Sequence, residues 1–264
     1  MIPKIIHYCW LSDDPIPAKM QKYVESWKTI LPDYEFIHWS FKNFNKSESI
    51  WVSQAFEMKK YAFAADYIRL YALYNYGGIY LDMDVEIVKP IDEFLVLDTI
   101  LGYENGTSCG LEVAAFGVIK HSPWIKSCLD YYNTRKFINE DGSLNTQPMP
   151  GVIKRCLERN NIVIKSVSNL VEAKKVGINT IPIFPFDYFS PKNHVTGKIK
   201  KTKNTYMIHH FSGSWLPWYF RFEQKIWHTL GLRDMRIILR LINLIKFGTI
   251  RSNVTPIENI DNVR

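Results

Sequence analysis

Residues 62–88 read AFAADYIRLYALYNYGGIYLDMDVEIV. Residues 62–76 are apolar nearly all round, the pattern of a helix buried on every side. Gly77-Gly78 ends that helix, as glycine commonly does just past a helix C-terminus. Residues 79–81 read as a short strand, Asp82-Met83-Asp84 follows, residues 85–88 resume as strand, and Pro90 closes the element. Hard divalent cations prefer oxygen ligands, and Mg²⁺ or Mn²⁺ commonly takes one or two carboxylates plus substrate phosphates. Residues i and i+2 of a strand point the same way, so Asp82 and Asp84 are candidate ligands of one cation. On the helix, Asp66 and Arg69 are three apart and share a face. Charges on an apolar helix are costly unless paired or used. They are either a structural ion pair or a polar patch that holds a sugar or diphosphate.

Working outward, residues 4–10 (KIIHYCW) read as a buried strand, 11–17 as a loop, 18–30 as an amphipathic helix stopped by Pro32, and 34–39 (YEFIHW) as a second strand. This β-α-β opening is typical of α/β folds with a nucleotide-binding half. Ligands of such sheets sit beyond the carboxyl ends of the strands. Tyr8 and Trp10 fall there, available to stack on a base or simply to pack in the core. Helices are expected over 50–61, 123–132 and 150–160, short strands and loops over 99–120, and an ordered Pro- and Phe-rich loop over 181–191. Residues 206–211 (YMIHHF) read as a strand, and His209-His210 at its end is either structural or completes the coordination of a metal–diphosphate.

The 264 residues are 47% hydrophobic and 22% charged, which excludes a disordered or collagen-like chain. Aromatic residues reach 14%, suited to aromatic-lined clefts as well as a core. No CxxC pair occurs, so a zinc ribbon is not expected, and the four dispersed cysteines read as reduced thiols. No run of about 18 apolar residues marks a membrane-spanning helix, and the N-terminus lacks the apolar region of a secretory leader. The net charge of +7 permits anionic partners. Much of it lies between Arg221 and Arg251, where seven Lys/Arg face two acidic residues. Arg233, Arg236, Arg240 and Asn243 form one polar stripe on an otherwise apolar helical pattern. That suits an anionic membrane surface; the other reading is a helix packed on the main domain. No nucleic-acid module is present. The expected organisation is a catalytic domain over 1–220, a basic amphipathic helical segment over 221–252 and a tail over 253–264.

The segments KIIHYCW (4–10), ADYIR (65–69), YGGIYLDMD (76–84) and HHFSGSW (209–215) together resemble the D-x-D glycosyltransferase sugar-binding-region family. They are similar to bacterial capsular-polysaccharide transferases of glycosyltransferase family 32 and, more distantly, to the catalytic domains of clostridial glucosylating toxins. The resemblance covers about residues 1–215. It implies a GT-A type α/β fold, in which a Rossmann-like nucleotide-binding half runs on into an acceptor half. It also implies a UDP-sugar donor, Mn²⁺ or Mg²⁺, and retention of anomeric configuration. By this resemblance Trp10, near Tyr8, stacks on the uracil, and Asp66 and Arg69 hold the donor sugar and diphosphate. Asp82, beside Tyr80, contacts ribose or sugar and the metal. Asp84 binds the metal, with His210 preferred to His209 as the histidine ligand. Ser214 and Trp215 contact the diphosphate and close over the donor. Catalysis then rests on Asp82, Asp84, Asp66 and Arg69.

Two departures stand out. The family often has W-F-G-G after the first strand, where this chain has Trp10-Leu11-Ser12-Asp13-Asp14; the acceptor side matches loosely, with Asn145 and Gln147 as candidate sugar contacts. The implied function is hexosyl transfer to a saccharide acceptor, lipid-linked, in capsular, surface-polysaccharide or lipooligosaccharide synthesis. The implied setting is cytoplasmic, peripheral on the inner membrane face. Two other readings exist: a haloacid-dehalogenase-like phosphatase, suggested by the D-M-D-V sequence, and a non-catalytic nucleotide-sugar-binding or membrane-scaffold protein.

Overall fold

The computed structural model describes residues 1–106 and 110–213. Ser214, Trp215 and the basic segment 221–252 with its tail lie outside the described residues.

The chain opens with β1 (Ile5–Cys9), α1 (Ala18–Ile30) and β2 (Glu35–Trp39), the expected β-α-β unit, with β2 parallel to β1. Helices α2 (Ile50–Glu57) and α3 (Tyr61–Tyr76) follow, then β3 (Gly78–Leu81) and β4 (Val85–Ile87). The strands β5 (Thr99–Tyr103) and β6 (Leu111–Val118) precede α4 (Pro123–Asn133) and α5 (Met149–Arg159). The rest comprises β7 (Val163–Ser166), α6 (Leu170–Ala173), β8 (Thr180–Ile183), α7 (Phe186–Phe189) and β9 (Met207–His209). The central sheet runs β2-β1-β3-β6-β5, parallel across its first three strands and antiparallel at β3–β6 and β6–β5. This is the α/β class that the opening unit predicts.

Each face of the sheet carries its own core. Ile6 and Tyr8 of β1 point to the α1 side with Trp27, Ile79 and Leu81. The α3 side holds Tyr80, Trp39, Trp51, Ile68 and Tyr132. Successive strand residues therefore serve opposite layers. Helix α3 lies between the sheet and helices α2 and α4. Its residues from Ala64 to Leu70 are all buried, which explains why the sequence shows no polar face.

Residues 181–191 depart from the loop expectation. Ile181 and Ile183 are buried in β8, which pairs in parallel with β7, and α7 forms one turn after Pro185. Pro182 lies within the strand, and a proline inside a short run reads against one. Among the described residues no helix is long and apolar enough to cross a membrane.

Candidate active site

The link from α3 to β3 sets the position of the acidic motif. Gly77 and Gly78 have φ of 68° and 101°, and a Cβ on Gly78 would lie 2.6 Å from the Ile5 carbonyl oxygen. Only glycine meets both demands. The buried His7 locks the same link. Its Nε2–H donates to the Gly77 carbonyl at 2.8 Å, while its Nδ1 accepts from the Trp39 indole at 3.1 Å. Both roles require a neutral imidazole, and burial pushes its pKa down to about 4.

Strand β3 ends at Leu81, so Asp82 and Asp84 sit on a tight turn and not on one strand face. The Asp82 amide donates to the Ala114 carbonyl at 2.7 Å, and the Val85 amide donates back to the Asp82 carbonyl at 3.0 Å. The turn still aims both carboxylates into one cluster. Asp82, Asp84 and His209 offer ligand atoms that all lie within 4.8 Å of one another.

The histidine is delivered by β9, which pairs antiparallel with β4 so that His209 lies opposite Val85. His209 Nδ1 lies 3.1 Å from Glu112 and its Nε2 lies 3.6 Å from Asp84 Oδ1. Its neighbour goes the other way: His210 Nε2 meets Glu86 at 2.9 Å, and the ring stacks on Tyr23 with centroids 5.2 Å apart. The structure thus brings His209 to the twin aspartates where the resemblance had preferred His210. After β9, Phe211 takes a left-handed φ of 50°, a costly conformation for a bulky residue. That turn directs the Ser212 amide to Asp84 Oδ2 at 2.6 Å.

Helix α3 supplies the other charges. The Arg69 guanidinium lies 3.2 Å from Asp66 and 3.4 Å from Asp82, donates to the Val113 carbonyl at 2.8 Å, and stacks over the Tyr80 ring. Tyr80 donates its hydroxyl hydrogen to Asp82 at 2.9 Å. The four residues therefore form one network, buried except at Asp82, where about a third (32%) of the side chain is exposed, and it joins Asp66 and Arg69 to the acidic cluster. Burial pushes the Asp66 carboxyl up to about 7, against the pull of Arg69 and with added repulsion from Asp82. Burial also raises the pKa of Asp82, which Arg69 opposes.

The donor set fits a divalent cation of the Mn²⁺ or Mg²⁺ kind: two carboxylates and one imidazole. The surroundings fit as well. Metal-ligating histidines usually give their other ring N–H to a carboxylate, which fixes the tautomer, and Glu112 occupies that place on His209. Glu112 is itself buried and accepts from the Ala114 amide at 2.8 Å. Burial disfavours a charged His209, yet Glu112, Asp84 and Asp82 together outweigh it and push its pKa up to about 10. The Nε–H of Arg69 is buried and has no hydrogen-bond partner among the described residues.

The remaining predicted residues lie at the edges. Tyr8 stacks on His38 at 4.9 Å and packs edge-on against Trp27. It also lines a cleft of 180 Å³ with Ile16, Gln21, Val24 and Met83. The half-buried Trp10 is fixed by its indole N–H, which donates to the Asp14 carbonyl at 2.7 Å; the loop that replaces the family glycines thus holds the ring. Asn145 is tied through its amide to the Phe137 carbonyl, and Gln147 lies against Gly151. Lys198, Lys200, Lys201 and Lys203 are exposed.

Sequence reasoning missed Glu112 and Glu104. Glu104, Glu112 and His209 also bring ligand atoms within 4.8 Å of one another. Burial and the Glu112 charge push the Glu104 carboxyl up to about 7, with His209 opposing. Both acids lie on or just beyond the β5–β6 pair, far in sequence from the D-x-D motif, and only strand pairing joins them to it.

An acidic turn braced by an arginine and a histidine has the donor set and the charge to hold a metal-bound anionic ligand. Residues 17–105, about a third of the chain, match the family described as the glycosyltransferase sugar-binding region containing a DXD motif. Over 98 residues it is 37% identical to inositol phosphoceramide mannosyltransferase 3 of Schizosaccharomyces pombe, covering 36% of this chain and 27% of that protein. Over 133 residues it is 30% identical to mannosyl phosphorylinositol ceramide synthase SUR1 of Saccharomyces cerevisiae, covering 49% of this chain and 34% of that protein. The match thus spans about a third or less of these relatives' length. A solved structure titled PaToxG Glycosyltransferase superposes with a TM-score of 0.45 and 20% identity, over 60% of this chain and 70% of that one.

Proposed function

We propose that this chain is a divalent-metal-dependent, retaining glycosyltransferase of the GT-A type. It moves a hexose from a nucleoside-diphosphate sugar, UDP-linked in our reading, to a hydroxyl of a saccharide or glycolipid acceptor. The observation that carries the proposal is the convergence of Asp82, Asp84 and His209, with Glu112 behind the histidine and Arg69 beside Asp82. The relatives named as mannosyltransferases support hexosyl transfer, so mannose donors belong in the same test.

Asp82, Asp84 and His209 would hold Mn²⁺ or Mg²⁺, which as a Lewis acid stabilises negative charge on a diphosphate leaving group. Arg69 adds a fixed positive charge from the α3 side, already oriented by Asp66, Asp82 and the Val113 carbonyl, so little reorganisation is needed as charge develops. Tyr80 holds Asp82 in place, and Ser212 holds Asp84. Glu112 keeps the Nδ1 hydrogen of His209 and leaves Nε2 directed at Asp84 and the cluster. Trp10, braced by Asp14, offers a ring to the base. We place the protein at an anionic membrane surface in the cytoplasm, on the strength of the basic stripe at Arg233, Arg236 and Arg240. Its product belongs to a surface polysaccharide or lipooligosaccharide.

The deciding measurement is nucleoside-diphosphate release from a panel of UDP- and GDP-sugars, each with Mn²⁺, with Mg²⁺ and with a chelator. Release that needs the metal and an added glycan or glycolipid supports the reading. Phosphate release from a monoester marks a phosphatase, and neither activity marks a binding or scaffold protein. For the membrane, replacing the three arginines by glutamine in the full chain should markedly reduce sedimentation with anionic vesicles, at ~1 kcal/mol per basic residue. Unchanged sedimentation removes that part of the reading.

A further inference from the structure

A second constellation lies on the Asp84 side of the cluster. Lys192, in the segment between α7 and β9, is half-buried, and its ammonium donates to the His210 carbonyl at 2.6 Å. The His210 amide donates in turn to the Asp84 carbonyl at 3.0 Å, so Lys192 is two hydrogen bonds from the backbone of a metal ligand. Among the described residues no carboxylate lies within ion-pair distance of Lys192. The charges that face it are Lys19 of α1, which repels it, and Asp84, which attracts it. Lys19 also lies over the Tyr23 ring, which stacks on His210, whose other side is held by Glu86. Glu86 is thereby committed to the histidine and does not neutralise either lysine.

A half-buried ammonium with one carbonyl partner is poorly compensated, and a second cation nearby makes it more so. With Lys19 repelling Lys192 and Asp84 attracting it, this corner of the site suits a ligand with more than one negative charge. Arg69 lies on the Asp82 side of the cluster and Lys192 on the Asp84 side, so the two would flank a diphosphate held at the metal. The four lysines of 198–203 are instead exposed to solvent. We propose that Lys192, assisted by Lys19, contacts the diphosphate of the donor. This rests on the transferase reading and assigns a phosphate-contacting residue within it.

The test is calorimetric binding of UDP, GDP and the matching nucleosides to the full chain, with Mn²⁺ and with a chelator. Lys192→Met should weaken diphosphate binding ~10-fold under both conditions and leave nucleoside binding unchanged, as loss of one charge-assisted contact requires. Lys192→Arg should restore most of the affinity, and Lys200→Met, which removes the same charge from an exposed site, should change nothing. Equal loss for nucleoside and diphosphate, or no loss, overturns the assignment of Lys192 while the transferase reading stands. A wild-type protein that binds neither diphosphate better than its nucleoside overturns that reading, and this assignment with it. Should Lys192→Met fail to fold, the exposed Lys19→Met decides. It should weaken diphosphate binding ~3-fold, and no change there overturns the two-lysine site.

Discussion

Helices α3 and α4 each carry an intrahelical ion pair one turn apart, and the two pairs live in opposite environments. Lys126 and Asp130 on α4 leave about half of each side chain in water, at 48% and 51% exposure. Asp66 and Arg69 on α3 retain 12% and 6%, and Arg69 reaches past its helical partner to Asp82. The same spacing gives a screened surface pair in one place and a fixed charge network in the other. What separates them is burial: in a low-dielectric setting each charge must be matched, so the positions of all partners become constrained. A site that stabilises transient charge needs that constraint.

The comparison can be broken most forcefully at the turn that the α3 network serves. Asp84→Ala should lower metal-dependent transfer by ~10³-fold or more, with circular dichroism and thermal unfolding little changed. Unchanged turnover at saturating donor would remove Asp84 from the site. The next largest effect sets the two helices directly against each other. Arg69→Met strands Asp66 in the interior and leaves the partly exposed Asp82 unpaired, and should cost ~3–5 kcal/mol in denaturant unfolding; similar losses from Arg69→Met and Lys126→Met would show that burial is not the difference.

His7 sharpens the point with a buried group that stays neutral. Its ordinary pKa is 6.5 and its folded value is about 4. Between those values the unfolded chain binds more protons, so stability is full above about 6.5 and declines as pH falls towards 4. The decline amounts to ~3 kcal/mol at most. His7→Gln should flatten that part of the pH–stability curve, and an unaltered slope would assign it to other groups. Between the adjacent histidines, His209→Ala should weaken Mn²⁺ binding ~10–100-fold or more, while His210→Ala should change it far less. A reversed order would restore the preference for His210. The smallest effect closes the comparison: Lys126→Met should cost about 0.5 kcal/mol or less and lose even that at high salt.

Much of this site is legible along the chain. The nearly continuous apolar run of 62–76 reads as a buried helix, so its two charges stand out as partnered or functional. Gly77-Gly78 marks the close approach to β1, and the twin aspartates follow at a fixed interval. Their convergence was expected from strand alternation and arises instead from a turn, because β3 stops at Leu81. The cysteines show the opposite limit. Dispersed in sequence, Cys128 and Cys156 are buried side by side across α4 and α5, both as free thiols.

The sequence by itself determined the α/β layering, the buried helix and the D-x-D turn, because each follows from local periodicity and from what glycine alone permits. Tertiary structure decided which histidine joins the aspartates. Neighbouring strand residues face opposite ways, and the β4–β9 register, which no local pattern encodes, turns His209 inward and His210 towards Tyr23. It likewise chose Glu112 as the brace and Lys192 as the nearby cation. Those residues meet the motif only through strand pairing and chain crossing, where distance in space is independent of distance in sequence.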